Sequence, residues 1–384
     1  MSLNSLIDDP VFVALCKSLA AFLFCVVLYP FYIKWLHSKQ MGQFIREEGP
    51  ASHAKKAKTP TMGGLLFIAG IIFSSLLPLY QGGFLPDEKF NNQAGALLVL
   101  AAATLCGLLG FADDFGKITS RSNTGISGKF RLLCEFALGL VLSLALYFLN
   151  LVPPVSLGIN VGSEELSTIS FLLGGFGQYI YLFAFVPFLM AASTNALNLH
   201  DGMDGLAAGT SLIVMLDLAF MLVVSGYYLL GWIAAAALGA LLAFLVYNRY
   251  PAKIFMGDTG SLFLGALMAG LVVAGGLVLW FIPLSLIYVV ETVSVILQVL
   301  YFKASKAYVP ERSMSRLSLL LYKLTHKLPG EGKRLFRMSP IHHHFEAIAQ
   351  EKGKKEWEVV LSFWVIQLLI SAVTLFFFLH HTAS

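Results

Sequence analysis

Ten stretches of this chain run for about 20 residues with almost no charge, the length a helix needs to cross about 30 Å of hydrocarbon. They are Val11–Ile33, Met62–Leu79, Gln93–Phe111, Leu132–Leu149 and Tyr179–Leu197, followed by Leu206–Ser225, Leu230–Tyr247, Ser261–Trp280, Pro283–Phe302 and Trp357–Leu379. The boundary near Pro283 is the least marked. Helices in a bilayer must satisfy their backbone groups internally. The pattern therefore predicts an all-α, polytopic membrane bundle, and the intervening segments leave no room for a soluble domain. We read residues 1–384 as one integral membrane domain without a repeat of fixed period.

Two connecting segments have patterns of their own. "SLGINVGSEELSTIS" mixes polar, apolar and β-branched residues and predicts a small external β-hairpin. In "RLSLLLYKLTHKL", Leu317, Leu320, Leu321, Leu324 and Leu328 make one apolar stripe, with Arg316, Lys323 and Lys327 around it. At that length the helix is too short to span. It suits either the cytoplasmic interface of the membrane or a packing face on the bundle or a partner chain.

Composition agrees with the pattern. The chain is 57% hydrophobic and 12% charged, against roughly 25% charged in soluble domains. Of its 26 Lys and Arg residues, all but Lys17 and Lys89 fall between Lys34 and Lys58, between Lys117 and Arg131, at Arg249 and Lys253, or between Lys303 and Lys355. These are alternate loops, which marks them as cytoplasmic and both termini as external. The net charge of +4 thus reports topology, and no nucleic-acid motif accompanies it. Asp8 and Asp9 open the first span in place of a basic segment, so that span is not expected to be a cleaved signal. Cys16, Cys25, Cys106 and Cys134 lie in or beside spans without metal-ligand spacing and read as small buried hydrophobes.

Acidic residues near the span ends gather on the basic side. Asp113 and Asp114 follow the third span, Asp201 and Asp204 the fifth, and Asp258 precedes the eighth; Glu135 and Glu291 lie within spans. Each alone suits a solvated helix end. Three acidic motifs on one face, each joined to glycines, point instead to a site. Asn198, Asp201 and Asp204 recur every three residues and should line one side of a helical turn. Asp113 and Lys117 share a face at i, i+4, while Asp114 is turned about 100° away. A carboxylate beside a helix start attracts a cation, and the helix start attracts an anion. A phosphate carried by Mg²⁺ satisfies both, and the absence of cysteine argues against zinc.

In "FRMSPIHHHFE" the histidines His342, His343 and His344 suit hydrogen bonds to a phosphate or polar head group, with Lys333, Arg334 and Arg337 adding charge. Metal ligation and an exposed polar loop are the competing readings. In "KKAKTPTMGG", Lys58 and Thr61 stand before a span in another anion-friendly setting, while Lys55 and Lys56 suit topology alone.

Together "TPTMGG", "GFADDFGK", "NLHDGMDG", "YNRYPAKIFMGDTGS", "ETVSVILQ" and "FRMSPIHHHFE" resemble the phospho-N-acetylmuramoyl-pentapeptide transferases. These belong to the polyprenyl-phosphate N-acetylhexosamine-1-phosphate transferase superfamily. The aspartate motifs carry the superfamily, and the triple histidine carries the branch. The resemblance implies a Mg²⁺-dependent dimer of ten spans in the bacterial plasma (inner) membrane. It would act at the cytoplasmic face on UDP-MurNAc-pentapeptide and undecaprenyl phosphate, giving lipid I and UMP.

The resemblance further implies Asp258 as magnesium ligand and Asp113 and Asp114 as a catalytic pair. Lys117 and Lys129 match basic cleft positions, and Asn198, Asp201, Asp204 and Asn248 match nucleoside-side or polar cleft positions. His342, His343 and His344 match the donor-contacting motif, with Lys58 and Thr61 as further substrate positions. The alternative within this class is a UDP-GlcNAc:polyprenyl-phosphate GlcNAc-1-phosphate transferase. An ion-coupled transporter, the rival from another class, predicts acids near the bilayer midplane, where Asp217 and Glu291 are the main candidates. Two features depart from the family pattern: His200 stands where Thr is expected, and the segment from about Ala304 to Gly332 is long.

Overall fold

The computed structural model describes residues 9–39, 59–78, 93–120, 125–151, 175–308 and 314–383, and these form helices joined by turns. The first helices are α1 (Pro10–Ser38), α2 (Gly64–Leu76), α3 (Gln93–Ser120) and α4 (Gly128–Phe148). Next, α5 (Gly175–Ile180) runs through a π-helical turn, Tyr181–Phe185, into α6 (Val186–His200). The bundle continues with α7 (Leu206–Val224), α8 (Tyr228–Asn248), α9 (Gly257–Ala274), α10 (Val278–Leu284) and α11 (Leu286–Ala304). Last come α12 (Arg316–Thr325), α13 (Ile341–Glu351) and α14 (Glu356–Ala383). Among the described residues, nine helices are long and apolar enough to cross a membrane. The protein is a polytopic helical membrane protein. The expected β-hairpin falls outside the described residues.

The remaining expected span, Met62–Leu79, the second in the chain, is shorter than its apolar pattern. As α2 it has 13 residues, about 20 Å at 1.5 Å per residue. Its end is met by Lys17 of α1, whose ammonium donates to the carbonyls of Ser74 (2.8 Å) and Ser75 (3.2 Å) and to that of Leu77. Ser74 Oγ donates back to Lys17 O at 2.6 Å. A cation at a helix C-terminus satisfies carbonyls that have no partner in the next turn. A lysine inside an apolar span, costly if alone, is thereby hydrogen-bonded.

Helix α9 occupies the centre, packed against α3, α6 and α2, and almost all of its residues are buried. Close approach depends on small residues, as in other membrane helix contacts. Gly64 and Gly260 face each other so tightly that a Cβ on either would overlap the other backbone. The outer helices show the complementary pattern. On α1, Leu15, Leu19, Leu23 and Val27 are exposed while Ala21, Cys25 and Tyr29 are wholly buried. One stripe of that helix faces lipid and the other faces protein.

Three boundaries differ from the apolar pattern. Asp113 and Asp114 lie inside α3, which continues to Ser120. Asp258 sits in the first turn of α9 instead of before the helix. Trp280 belongs to α10, because Gly275 and Gly276 end α9 and Gly276 takes a left-handed φ of 68°.

The short helix α12 is N-capped by Ser315, whose Oγ accepts from Ser318 N at 3.1 Å. Lys303 donates to Leu324 O and Lys306 to Leu328 O, while Lys323 donates to Lys306 O at 2.7 Å. These lysines pin α12 to the end of α11. Leu317, Leu320 and Leu321 remain exposed, so the bundle does not cover that part of the apolar stripe.

Candidate active site

One end of the bundle gathers the C-terminal part of α3, the end of α6 and the beginning of α9. At its centre Lys117 Nζ lies 2.5 Å from Asp113 Oδ2 and 2.7 Å from Asp258 Oδ2. The i, i+4 spacing puts Asp113 and Lys117 on one face of α3, and α9 brings Asp258 to the same ammonium. Asp258 has two further partners. Asn198 donates to its Oδ1 at 2.6 Å, and Arg131 Nη1 approaches its Oδ2 at 3.5 Å. Asp113 Oδ1 also accepts from the backbone of Ile126.

Asp114 points elsewhere, as its position on the helix requires. Its Oδ1 accepts from Asp258 N at 3.1 Å, and its Oδ2 from Thr259 N at 2.9 Å and Thr259 Oγ1 at 2.7 Å. A carboxylate from α3 thus satisfies the free amides at the start of α9, where the helix dipole favours negative charge. Adjacent aspartates coexist because one meets a lysine and the other meets a helix terminus.

The fifth-span motif is divided. Asn198 joins the carboxylates and also donates to Ser261 Oγ at 3.0 Å. Asp204 accepts from Ala252 N at 2.9 Å, and its own N–H donates to Glu356 Oε1. These residues therefore do not line a single side: α6 ends at His200, and the following turn sends Asp204 towards the 249–252 turn and α14. Asp201 sits at that helix end. Lost hydration, then repulsion from Asp258, Asp114 and Asp204, pushes its carboxyl up to about 8. Asn248, expected in the cleft, is buried and binds Gly205 N through Oδ1 and Ile254 O through Nδ2. It ties two turns together.

Thr61 is buried near Gly257, Lys129 is exposed in the first turn of α4, and Lys58 lies outside the described residues. Arg131 was legible only as a loop charge. The structure turns it inward, with Nη2 donating to Asn195 Oδ1 at 3.1 Å and Nε 3.6 Å from Glu135. Its i, i+4 relation to Glu135 was the available signal.

The histidine segment is not an exposed loop. It forms the first turn of α13, where His342 is wholly buried. His342 Nδ1 lies 3.0 Å from Glu291 Oε2, and His343 Nδ1 lies 2.8 Å from Glu346 Oε2. His344 Nδ1 accepts from Arg337 N at 3.2 Å. Glu291 Oε1 is also 3.3 Å from His200 Nδ1. Asp217, the other acid considered for ion coupling, accepts from Ser371 Oγ at 2.7 Å.

The central donor set consists of carboxylate oxygens with cationic and amide N–H neighbours. It suits a hard divalent cation such as Mg²⁺, which takes oxygen ligands and few protein carboxylates. Arg131 and Lys117 on the same carboxylates suit phosphate oxygens.

A model of glycosyl transferase family 4 matches residues 96–276, and signature 1 of the phospho-N-acetylmuramoyl-pentapeptide-transferases matches residues 56–68. The phospho-N-acetylmuramoyl-pentapeptide-transferase of Halalkalibacterium halodurans is 35% identical over 369 residues, covering 95% of this chain and 97% of its own. The protein of that name from Oceanobacillus iheyensis is 38% identical over 355 residues, with 91% and 93% covered. The one from Bacillus subtilis is 35% identical over 365 residues, with 95% and 97% covered.

Proposed function

Because the chain belongs to the phospho-N-acetylmuramoyl-pentapeptide-transferase family, we propose that it transfers phospho-MurNAc-pentapeptide from UDP-MurNAc-pentapeptide to undecaprenyl phosphate. The products are lipid I and UMP. The carrying observation is identity spread over more than nine-tenths of this chain and of each relative. The relatives' shared name favours the muramoyl donor over the GlcNAc-1-phosphate alternative. Residues 1–384 act as a single transferase domain, which the end-to-end coverage supports.

In this reaction an oxygen of the lipid phosphate attacks the sugar-linked phosphorus of the donor. The phosphoanhydride bond breaks, and its electron pair remains on UMP. Two anions must meet, so the site has to offset repulsion and fix orientation. Mg²⁺, held by Asp258, would supply charge neutralisation for the pyrophosphate. Lys117 and Arg131 add fixed positive charge beside it. Asp113, held on Lys117, positions the acceptor phosphate or takes its proton. Asp114 fixes the start of α9 and with it the position of Asp258. Asn198 orients the Asp258 carboxylate, and Asp201 offers its carboxyl group to polar groups of the nucleotide-sugar. Thr61, Lys58 and Lys129 complete the substrate-binding set, with Asp204 and Asn248 holding the turns beneath it.

The site opens to the cytoplasm and both termini lie outside, a reading supported by the basic residues that crowd one set of loops. The resemblance also supports a homodimer. The test of the reaction uses purified protein with undecaprenyl phosphate and either UDP-MurNAc-pentapeptide or UDP-GlcNAc. Mg²⁺-dependent UMP release with the muramoyl donor alone is the expected result. Release with UDP-GlcNAc alone would overturn the donor assignment.

A further inference from the structure

Three buried side chains lie beside the aspartate and lysine cluster without belonging to it. His200 ends α6, Glu291 lies in α11, and His342 opens α13; all three are wholly buried. Their ligand atoms lie within 4.8 Å of one another. Glu291 gives one carboxylate oxygen to each ring, Oε1 to His200 Nδ1 at 3.3 Å and Oε2 to His342 Nδ1 at 3.0 Å. The backbone N–H of His342 also donates to Oε2 at 3.4 Å. A buried carboxylate is stabilised by several donors, and it is destabilised when one is removed.

The protons can be placed from the partners. An ionised carboxylate only accepts, so both Nδ1 atoms carry hydrogen. In neutral rings Nε2 then accepts. For His200 a hydroxyl partner is at hand, with Thr210 Oγ1 3.1 Å from Nε2 and 3.0 Å from Leu206 O. His342 Nε2 is buried with no hydrogen-bond partner among the described residues. It lies against the turn after α6, so close to Gly202 that a Cβ there would overlap it. Gly202 follows Asp201, so this acceptor faces the turn that carries a proposed substrate-binding residue.

The His200 ring is enclosed. Tyr288 meets it edge-on at 5.1 Å between centroids, and Phe363 lies 6.0 Å away. With Thr210 on one nitrogen and aromatic rings around it, His200 is held more firmly than the first turn of a helix reached through a long connection. We infer that His200 is a positioning residue: through Glu291 it fixes the orientation of His342 and seats α13 against the Asp201–Gly202 turn. A threonine at 200, the residue of the family pattern, has a shorter side chain with no nitrogen at the Nδ1 position. In this chain His200 thus gives the seating of α13 a support that a threonine would lack.

The transfer assay rests on the proposed reaction, so the test pairs it with a measurement that does not. Hydrogen exchange of the α13 amides, read by mass spectrometry on the full-length protein in detergent, reports seating directly. The variants are His200→Thr, His200→Asn and His200→Leu. Asparagine places an N–H near the position of Nδ1, and leucine fills space without donating. Thr and Leu should speed exchange across residues 341–346 by about ten-fold, the weight of a hydrogen bond to a charged group. Asn should restore protection.

In the assay the same two variants should raise the donor KM more than they lower kcat, with Asn again close to the parent. Unchanged exchange in all three variants overturns the proposal, as does Leu protecting as well as Asn. Stoichiometric zinc in the untreated protein, lost in His200→Thr, would replace hydrogen bonding with ligation and also overturn it. Altered exchange with no transferase activity in the parent would uphold the seating role and reject the proposed reaction instead.

Discussion

Asp113 and Asp258 come from different helices and meet at one ammonium, so removing either carboxylate leaves Lys117 with an altered partner as well as altering the substrate's surroundings. Asp258→Asn keeps the size and removes the charge. It should weaken Mg²⁺ binding and abolish UMP release. Asp113→Asn should keep donor binding and lose about 10²–10⁴-fold in turnover, the usual weight of a general base. Both variants are assayed for UMP release across a Mg²⁺ titration and for donor binding by calorimetry. An active Asp258→Asn with an unchanged Mg²⁺ requirement removes the metal assignment. Full activity in Asp113→Asn removes the base. The alignment of Asp113 with Lys117 was legible in the sequence because i, i+4 spacing on a helix fixes it. The arrival of Asp258 and Asn198 was not, since it depends on how α6 and α9 cross. Arg131 was hidden for a related reason: a basic residue at a span end looks the same whether it faces solvent or the site.

A helix start is only as well placed as the groups that satisfy its first amides, and for α9 those groups belong to α3. Asp114 accepts three hydrogen bonds from Asp258 and Thr259. Asp114→Asn turns an amide N–H₂ against at least one of these donors in either orientation. The expected cost is about 1–2 kcal/mol, comparable to the loss of a helix cap. The thermal midpoint in detergent should fall further than in Asp113→Asn, and turnover should fall because Asp258 moves with the helix start. An Asp114→Asn protein with the parental midpoint would remove the capping role.

Cores of apolar elements were readable and their ends were not. A span announces itself by length, whereas α2 stops where Lys17 reaches its carbonyls and α10 separates from α9 at Gly275 and Gly276. The histidine segment looked like loop because three adjacent polar residues rarely suit a buried helix. The chain buries His342 by giving it Glu291, 51 positions earlier, a pairing that no local pattern reveals.

At the scale of the molecule, the aspartates, the histidine helix and the described basic residues Lys117, Arg131, Arg249 and Lys253 share one end of the bundle, because the helices alternate in direction and the motifs alternate with them. That end should face the cytoplasm. In a cysteine-free background, single cysteines at Lys253 and Lys333 probe it, and one at Thr382, near the end of α14, probes the opposite side. An impermeant maleimide applied to intact cells should label Thr382→Cys and spare the other two, and all three should label after permeabilisation. Both substrates would then be met where the basic loops lie. UDP-MurNAc-pentapeptide carries a pyrophosphate and cannot cross hydrocarbon unaided, so a site at the other end would be cut off from a cytoplasmic donor. Labelling of Lys253→Cys and Lys333→Cys in intact cells, with Thr382→Cys protected, would invert the bundle and place the carboxylates on the wrong side for the proposed donor.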